Sequence, residues 1–475
     1  MVRLQIPDTT LAVDLSQDTP KVYSSKTMHR LVDNLAGALT ALNLPAGKNI
    51  GLLGYNSVPM LLVSLALFKA PQMCVPLNYK LPQDKLHACI HKSNIGLIFC
   101  DQQFEHLVPD HVLAVQFGKP FDAFCEIDYD LVAELEPDKL YLSLFSSGTT
   151  GEAKKIDFTV QDRLKIVHSP YSKTQQPIKN LTEQTKTLCA NPFFHNAGIS
   201  WAHRNVFSQS ILFVLPKFDA PLFLKTIEKY KIQQLNLVTP MMAMLLTESE
   251  LINDLNLSSV THIDLPSSFA SASLIENIKK VFPSVTSINN LYGLTEIGTT
   301  IFATHPDNIP VPPGSTGYPR NDIEIKLVED ELQVKCADFF SRFDTNNEEW
   351  FNTRDLFRVD SQGFYYYIGR KDDMFKCGGE KVYPIEIESV LLRHPCVQSC
   401  VVIGLPDQIK GHKPYAFVHL SSPCDTNELM QFTVPRVASY QIPKQIWIID
   451  HIPINEIGKI DKKYLLQVAE QYIQS

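Results

Sequence analysis

Residues 49–78 read NIGLLGYNSVPMLLVSLALFKAPQMCVPLN, and the order of textures in this stretch decides the fold class. A short apolar run ending in Gly-Tyr-Asn predicts a strand over 49–56, and an apolar helix follows over about 59–70. A second short apolar run, MCVPLN at 73–78, then predicts the next strand. Upstream, Met28, Leu31, Val32, Leu35, Leu39 and Leu42 recur at spacings of three and four, the period of an amphipathic helix that Pro45 and Gly47 end. Downstream, NIGLIFCD at 94–101 repeats the strand. Strands alternating with helices predict an α/β fold with parallel sheet covered by helices.

The pattern continues through TLCANPFFH, SILFVLP, IQQLNLVTP, VTHIDLP and SINNLYG, so about two-thirds of the chain reads as one large domain. After Pro312 it gives way to the short strands DIEIKLV, ELQVKC and GFYYYIGR, a β-rich subdomain over about 312–371. A charged, hinge-like stretch, GRKDDMFK at 369–376, precedes a helix that opens on Pro384 and stops before Pro395. Glu386 and Glu388 in its first turns suit the positive helix end. CVVIGLP and PYAFVHL then read as a hairpin. We therefore expect a large N-terminal domain over 1–371 and a small α+β domain over 372–475.

The 475 residues are too many for one ordinary core, and 44% hydrophobic content can fill two. The net charge is -8, with the 43 Lys and Arg spread along the chain, which excludes the basic footprint of a nucleic-acid binder. The most apolar helical stretch, Val58–Phe68, is shorter than the roughly 20 residues a membrane span needs. Ten scattered cysteines without a CxxC pair read as free thiols in a reducing compartment, so we expect a cytoplasmic protein. Monomer and homodimer are equally open.

A second stretch, LSLFSSGTTGEAKK at 142–155, carries chemistry. An apolar strand running into Ser146, Ser147, Gly148, Thr149, Thr150 and Gly151 offers backbone N–H groups and hydroxyls in a small nest, and Lys154 adds a mobile positive charge. That is a phosphate cradle, although a Walker loop is excluded because Gly148 and Gly151 are only three apart and Lys154 does not directly follow a glycine.

Set beside PFFHNAG (192–198), NNLYGLTEIG (289–298), WFNTRD (350–355), GRKDDMFKCGGEKVYPIEIE (369–388) and PINEIGKIDKKYL (453–465), the loop falls into an ordered set of motifs. The chain resembles the superfamily of acyl-CoA and aryl-CoA synthetases, peptide-synthetase adenylation domains and firefly luciferase, and the resemblance covers nearly its whole length. It implies that ATP and Mg²⁺ activate a carboxylic acid to an acyl adenylate, and that CoA then receives the acyl group. It implies that Ser146–Gly151 and Lys154 cradle the β and γ phosphates, that Thr295 contacts the α-phosphate, and that Glu296 holds Mg²⁺. By the same resemblance Tyr292 stacks on adenine, Asn290 lies near its amino edge, Asp355 accepts from the ribose hydroxyls, and Arg370 lies on the ribose and phosphate side. Lys459 is implied to bridge the substrate carboxylate and the α-phosphate. Asp372 stands at the hinge of a rotating small domain, Gly378 and Gly379 at the pantetheine tunnel, and His195 at the gate between acyl pocket and tunnel.

Four departures from the family pattern stand out. Ala153 replaces the usual Pro before the loop lysine. TRD at 353–355 replaces TGD, putting Arg354 where a small residue is usual. LPSSFASASL at 265–274 replaces a glycine-rich segment, so Ser267, Ser268 and Phe269 occupy space near the acyl pocket. The glycine-tyrosine turn before the TGD region is absent from VKCADFFSRFD. The compact length and the TRD form look closest to small aryl-CoA ligases acting on o-succinylbenzoate or benzoate, with medium-chain fatty acids also open. His195 and Asn196 stand where amino-acid-activating domains carry an Asp. Pocket positions by motif are His195, Asn196, Gly198, Met241, Ser268, Phe269 and Gly293. Transfer to a carrier-protein phosphopantetheine is an alternative to CoA. A non-catalytic nucleotide-binding scaffold is disfavoured because it would need none of Lys154, Glu296, Asp355, Arg370 and Lys459.

Overall fold

The computed structural model describes residues 9–42, 44–127, 135–147, 153–167, 185–266, 270, 272–307, 309–335, 349–453 and 460–474. The chain divides into two compact units: Met1–Ser268 with Ile278–Pro306 and Ala337–Phe343, and Phe269–Asn277 with Asp307–Cys336 and Asp344–Ser475.

The first unit holds two sheets. In the six-stranded one the order is Leu113–Gln116, Ile95–Cys100, Asn49–Leu53, Cys74–Pro76, Leu140–Ser147, Ala153–Thr159. Every pairing is parallel except the last, where Leu140–Ser147 and Ala153–Thr159 form an antiparallel hairpin. The helix Val58–Ala66 joins the strands that flank it, as residues 49–78 predict. Ser57 accepts the Met60 N–H at 3.3 Å to start this helix, and Pro59 suits its first turn. All of its residues but Pro59 are buried, which is why its sequence is apolar on every face.

The seven-stranded sheet runs Ser287–Leu291, His262–Pro266, Gln234–Asn236, Lys186–Cys189, Ile211–Val214, Thr10–Asp14, Lys21–Ser24. Its first six strands are parallel, and only the edge pair from the N-terminus is antiparallel. One continuous core, including Leu35, Leu52, Leu61, Phe99, Tyr141, Phe158, Trp201 and Leu212, joins the two sheets through the helices between them. The α/β reading thus holds, with the parallel strands shared between two sheets.

The second unit begins with an antiparallel sheet of Glu324–Val328, Glu331–Lys335, Phe351–Val359 and Tyr365–Arg370. Compactness groups this β-rich segment with the C-terminal residues. The long hairpin of Val397–Asp407 and Gly411–Leu420 extends into a five-stranded sheet with Phe375–Cys377, Glu380–Val382 and Ile446–Ile448. Alternation along the hairpin splits its apolar residues between two cores. Val402, Ala416 and Val418 pack with Ile387, Leu391 and Leu429, whereas Val401, Ile403, Tyr415 and Phe417 pack with Trp447, Leu465 and Ala469.

Candidate active site

In open parallel sheets, ligands bind in the crevice beyond the carboxyl ends of the strands. At that edge of the seven-stranded sheet, Lys186–Cys189 runs on into the PFFHNAG segment and Ser287–Leu291 into Tyr292–Gly298. The first of these turns is fixed by buried asparagines. Asn191 donates to the side-chain oxygen of Asn236 at 2.6 Å, while Asn56 donates to the Asn191 carbonyl and accepts from the Phe193 N–H, both at 2.9 Å. Asn56 follows the strand Asn49–Leu53, so it ties the six-stranded sheet to this turn. His195 then occupies the N-cap position of the helix Asn196–Phe207 in extended backbone, its ring 4.6 Å from that of Phe194. A Cβ on Gly198 would lie 2.2 Å from the Pro192 carbonyl oxygen, so only glycine lets the helix start so close to the turn. Gly198, expected at the pocket, therefore also serves the backbone.

Asn196 links the two motif segments, donating to the Gly298 carbonyl at 3.3 Å and accepting from Arg163 at 3.0 Å. Arg163 is fully buried on the helix Val160–Val167, and burial pushes its guanidinium down to about 10, still charged at neutral pH. Its other terminal nitrogen lies 3.3 Å from Nδ1 of buried His203. Because a guanidinium only donates, Nδ1 is the acceptor and Nε2 carries the proton toward Ser64 Oγ at 3.0 Å. Burial and then the Arg163 charge hold His203 well below the usual imidazole value, consistent with that neutral tautomer.

Asn290, Tyr292, Thr295 and Glu296 are half-buried, on the strand Ser287–Leu291 and the turn after it. Tyr292 lies 5.8 Å from the Phe302 ring. The turn closes through Ile297 and Gly298 N–H groups donating to the Leu294 carbonyl at 3.1 and 2.9 Å. Asn289, beside Asn290, donates to buried Asp264 at 2.7 Å. A single carboxylate such as Glu296 beside a polyphosphate fits Mg²⁺, which keeps several waters and few protein ligands.

The ends of the expected phosphate-cradle segment belong to the antiparallel pair Leu140–Ser147 and Ala153–Thr159, with Ser146 opposite Lys154. Lys154 is exposed, whereas Gly148, Thr149, Thr150 and Gly151 lie outside the described residues.

In the second unit, Asp355 and Arg370 are direct cross-strand partners, their side chains 3.2 Å apart, with Asp355 buried. Burial and then the Asp355 charge push the neighbouring Tyr367 phenol upward. Arg354, the residue in place of the usual glycine, has φ +60°, the left-handed conformation that glycine takes freely. Buried Glu331 accepts its backbone N–H at 3.0 Å and the Lys371 ammonium at 2.7 Å, and the Arg354 guanidinium pairs with Asp372. Gly378 and Gly379 form the two-residue turn between Phe375–Cys377 and Glu380–Val382, with φ +62° and +94°. Nothing would touch a Cβ on either, so the left-handed backbone demands glycine there.

Lys459, Ser268 and Phe269 lie outside the described residues. Around the Lys459 loop, the Asp461 N–H donates to the Pro453 carbonyl at 2.9 Å, and Lys462 pairs with Asp373, next to Asp372, at 2.7 Å. Sequence reasoning missed Asn56, Asn191, Asn236, Arg163 and Glu331. Locally Arg163 reads as one more polar residue in a helix, and Glu331 as a hairpin charge; only contacts distant in sequence reveal them.

Parallel strands delivering motif loops to one sheet edge, with a carboxylate–guanidinium pair on the antiparallel sheet, define the adenylate-forming class of enzymes. Residues 5–338 match the AMP-binding enzyme family and residues 386–459 the AMP-binding enzyme C-terminal domain, and the chain belongs to this family. It is 28% identical to a 2-succinylbenzoate–CoA ligase of Bacillus subtilis, across 91% of this chain and 90% of that protein. To a 2-succinylbenzoate–CoA ligase of Listeria monocytogenes it is also 28% identical, across 98% and 97%. The structure of the Bacillus subtilis o-succinylbenzoate CoA synthetase with its acyl-adenylate intermediate superposes with a TM-score of 0.81 at 26% identity, covering 98% of this chain and 96% of that one. An anthranilate CoA ligase shares the fold, with a TM-score of 0.86 at 23% identity over 98% and 95%. Among the described residues no helix is long and apolar enough to cross a membrane.

Proposed function

We propose that this chain acts on an aromatic carboxylic acid, 2-succinylbenzoate being the first candidate. It is an ATP-dependent, AMP-forming acid–CoA ligase. The carboxylate attacks the α-phosphate of ATP, pyrophosphate leaves, and the acyl group passes from the adenylate to the CoA sulfur with release of AMP. The observation that carries the reading is the pairing of the PFFHNAG and NNLYGLTEIG segments at one sheet edge through Asn196 and Gly298. Support for the aromatic acid comes from the relatives and from a run of rings in which Tyr55, Tyr79 and Phe104 pack together and Tyr79 meets Phe194 at 5.4 Å, beside His195.

Two anions must meet, so positioning and positive charge dominate the chemistry. In our reading Ser146–Gly151 and Lys154 hold the β and γ phosphates and Thr295 the α-phosphate. Tyr292 stacks on adenine with Asn290 at its edge, and Asp355 accepts from the ribose hydroxyls with Arg370 alongside. Mg²⁺ held by Glu296 would neutralise phosphate charge. Lys459 bridges carboxylate and α-phosphate in the first step. Rotation of residues 372–475 about Asp372 then withdraws it and brings Gly378 and Gly379 to the pantetheine, past His195 as gate. We place the enzyme in the cytoplasm, a reading supported by the nine described cysteines, all free.

Incubation with ATP, Mg²⁺ and a panel of 2-succinylbenzoate, benzoate, anthranilate and medium-chain acids, with and without CoA, tests this by product mass spectrometry. 2-Succinylbenzoyl-CoA as the dominant product is expected, and a fatty acyl-CoA instead would overturn the choice of acid. Adenylate that never reaches CoA would redirect the second step to a carrier protein. Lys459→Ala is expected to abolish adenylate formation, whereas an unchanged rate would remove Lys459 from the first step.

A further inference from the structure

Away from these motifs, His394, Cys396 and Cys424 place three ligand atoms within 4.8 Å of one another. We propose that they form a structural zinc site, with Glu428 as fourth ligand, that fastens the C-terminal unit. The cluster is built by chain segments distant in sequence. His394 ends the turn after the helix Pro384–Leu391, donating its N–H to Leu391 at 3.0 Å, and Cys396 stands just before the strand Val397–Asp407. Cys424 lies in the loop before the helix Thr426–Thr433, and the Ser421 N–H donates to the Cys396 carbonyl at 2.9 Å, closing the two loops on each other.

Glu428 completes the set. Its Oε1 lies 3.6 Å from His394 Nε2, on the side of the cluster where Cys424 precedes the same helix. Asp425 accepts the Glu428 N–H at 2.8 Å, capping the helix and fixing that side chain's origin. Phe432 meets the His394 ring edge-on at 4.9 Å, restricting its rotation. His394 is buried and the two cysteines half-buried, so a cation has both an anchored ligand and a path in.

The donor set selects the metal. Two sulfurs, an imidazole and a carboxylate suit tetrahedral zinc and disfavour Mg²⁺ or Ca²⁺, which take oxygen. Zinc at about 2.3 Å from sulfur and 2.0 Å from nitrogen sets ligand atoms roughly 3.5–3.8 Å apart, so small side-chain rotations close the site. Binding releases the two thiol protons to solvent, and the four donors are then fully used, leaving a closed, non-catalytic centre. The ion would pin the ends of two helices to the strand between them, stabilising the folded unit by mass action.

Zinc content of the reduced, full-length protein, measured by plasma mass spectrometry after dialysis against zinc, reads the proposal directly. About one ion per chain is expected, falling to near zero in Cys396→Ser and Cys424→Ser. Titration of the wild-type chain with Co²⁺ should give a thiolate-to-cobalt charge-transfer band, and zinc should raise Tm for the wild type but not for Cys424→Ser. Should the cysteine variants fold poorly, exposed Glu428→Gln is expected to keep the fold and weaken zinc affinity at least tenfold. No cobalt–thiolate band in the reduced wild-type protein would overturn the site. So would a Cys396–Cys424 disulfide, two mass units lighter, in freshly isolated protein.

Discussion

Asp355 and Arg370 stand opposite each other in an antiparallel ladder, and this pair lets the ribose assignment be tested at single-residue resolution. A carboxylate held 3.2 Å from a guanidinium offers two oxygens that can accept from two hydroxyls at once. Asp355→Asn keeps shape and removes charge, so one charged hydrogen bond worth about 1.5–3 kcal/mol is lost. Steady-state kinetics should show kcat/KM for ATP lowered by roughly 10- to 100-fold, with the KM of the acid little changed. Arg354 illustrates a sequence departure that the surroundings absorb. Its left-handed φ costs about 1–2 kcal/mol, offset in part by the Glu331 carboxylate at its N–H and by the pair with Asp372. The pair is solvent-exposed and contributes at most about 1 kcal/mol. Arg354→Gly should therefore leave stability within about 1 kcal/mol of wild type in denaturant titration.

The helix carrying Arg163 and the helix that begins at Asn196 meet through a hydrogen-bond network. Arg163 donates to Asn196 and His203, and Asn196 in turn holds the Gly298 carbonyl. We read Arg163 as a positioning residue, since it reaches the proposed site through Asn196. Arg163→Met fills the volume but releases Asn196, and Arg163→Lys cannot supply two separated donors. Both variants should raise the KM of the acid about tenfold or more while that of ATP holds, a split that loss of folded protein alone would not produce. The helix Pro384–Leu391 carries a different signal. Burial pushes Glu388 up to about 7 although Lys462 opposes it, and its carboxyl accepts the Val402 N–H at 2.8 Å. The native state therefore keeps a proton that the unfolded chain loses from about pH 4.5 upward, so stability falls as pH rises from about 4.5 to 7. Glu388→Gln keeps the acceptor and should flatten this part of the Tm–pH curve.

At the scale of the molecule, two sheets share one core, and Asn56 and Asn191 show how their loops are brought into register. The second unit holds Asp355, Arg370, Asp372 and the Gly378–Gly379 turn. Lys462 on Asp373 ties residues after Pro453 to those after Asp372, and both belong to the second unit. Much of this organisation was legible beforehand: the strand–helix–strand order of residues 49–78, the β-rich segment after Pro312 and the hairpin of CVVIGLP with PYAFVHL all reappear in place.

What the sequence determined by itself is whatever depends on near neighbours in the chain. Periodicity of two or 3.6 sets elements, Gly378-Gly379 sets a turn, and ordered motifs set the chemistry, because each acts over a few residues. Only the tertiary structure decided that Ser146 pairs with Lys154 in an antiparallel ladder, that Asp355 faces Arg370, and that Arg163 supports Asn196. It also decided that Gly198 serves a close backbone approach and that Glu388, which reads as a helix-end charge, turns inward to a neighbouring strand. These contacts draw their energy from close packing, burial and satisfying polar groups out of water, which periodicity and motif order do not record.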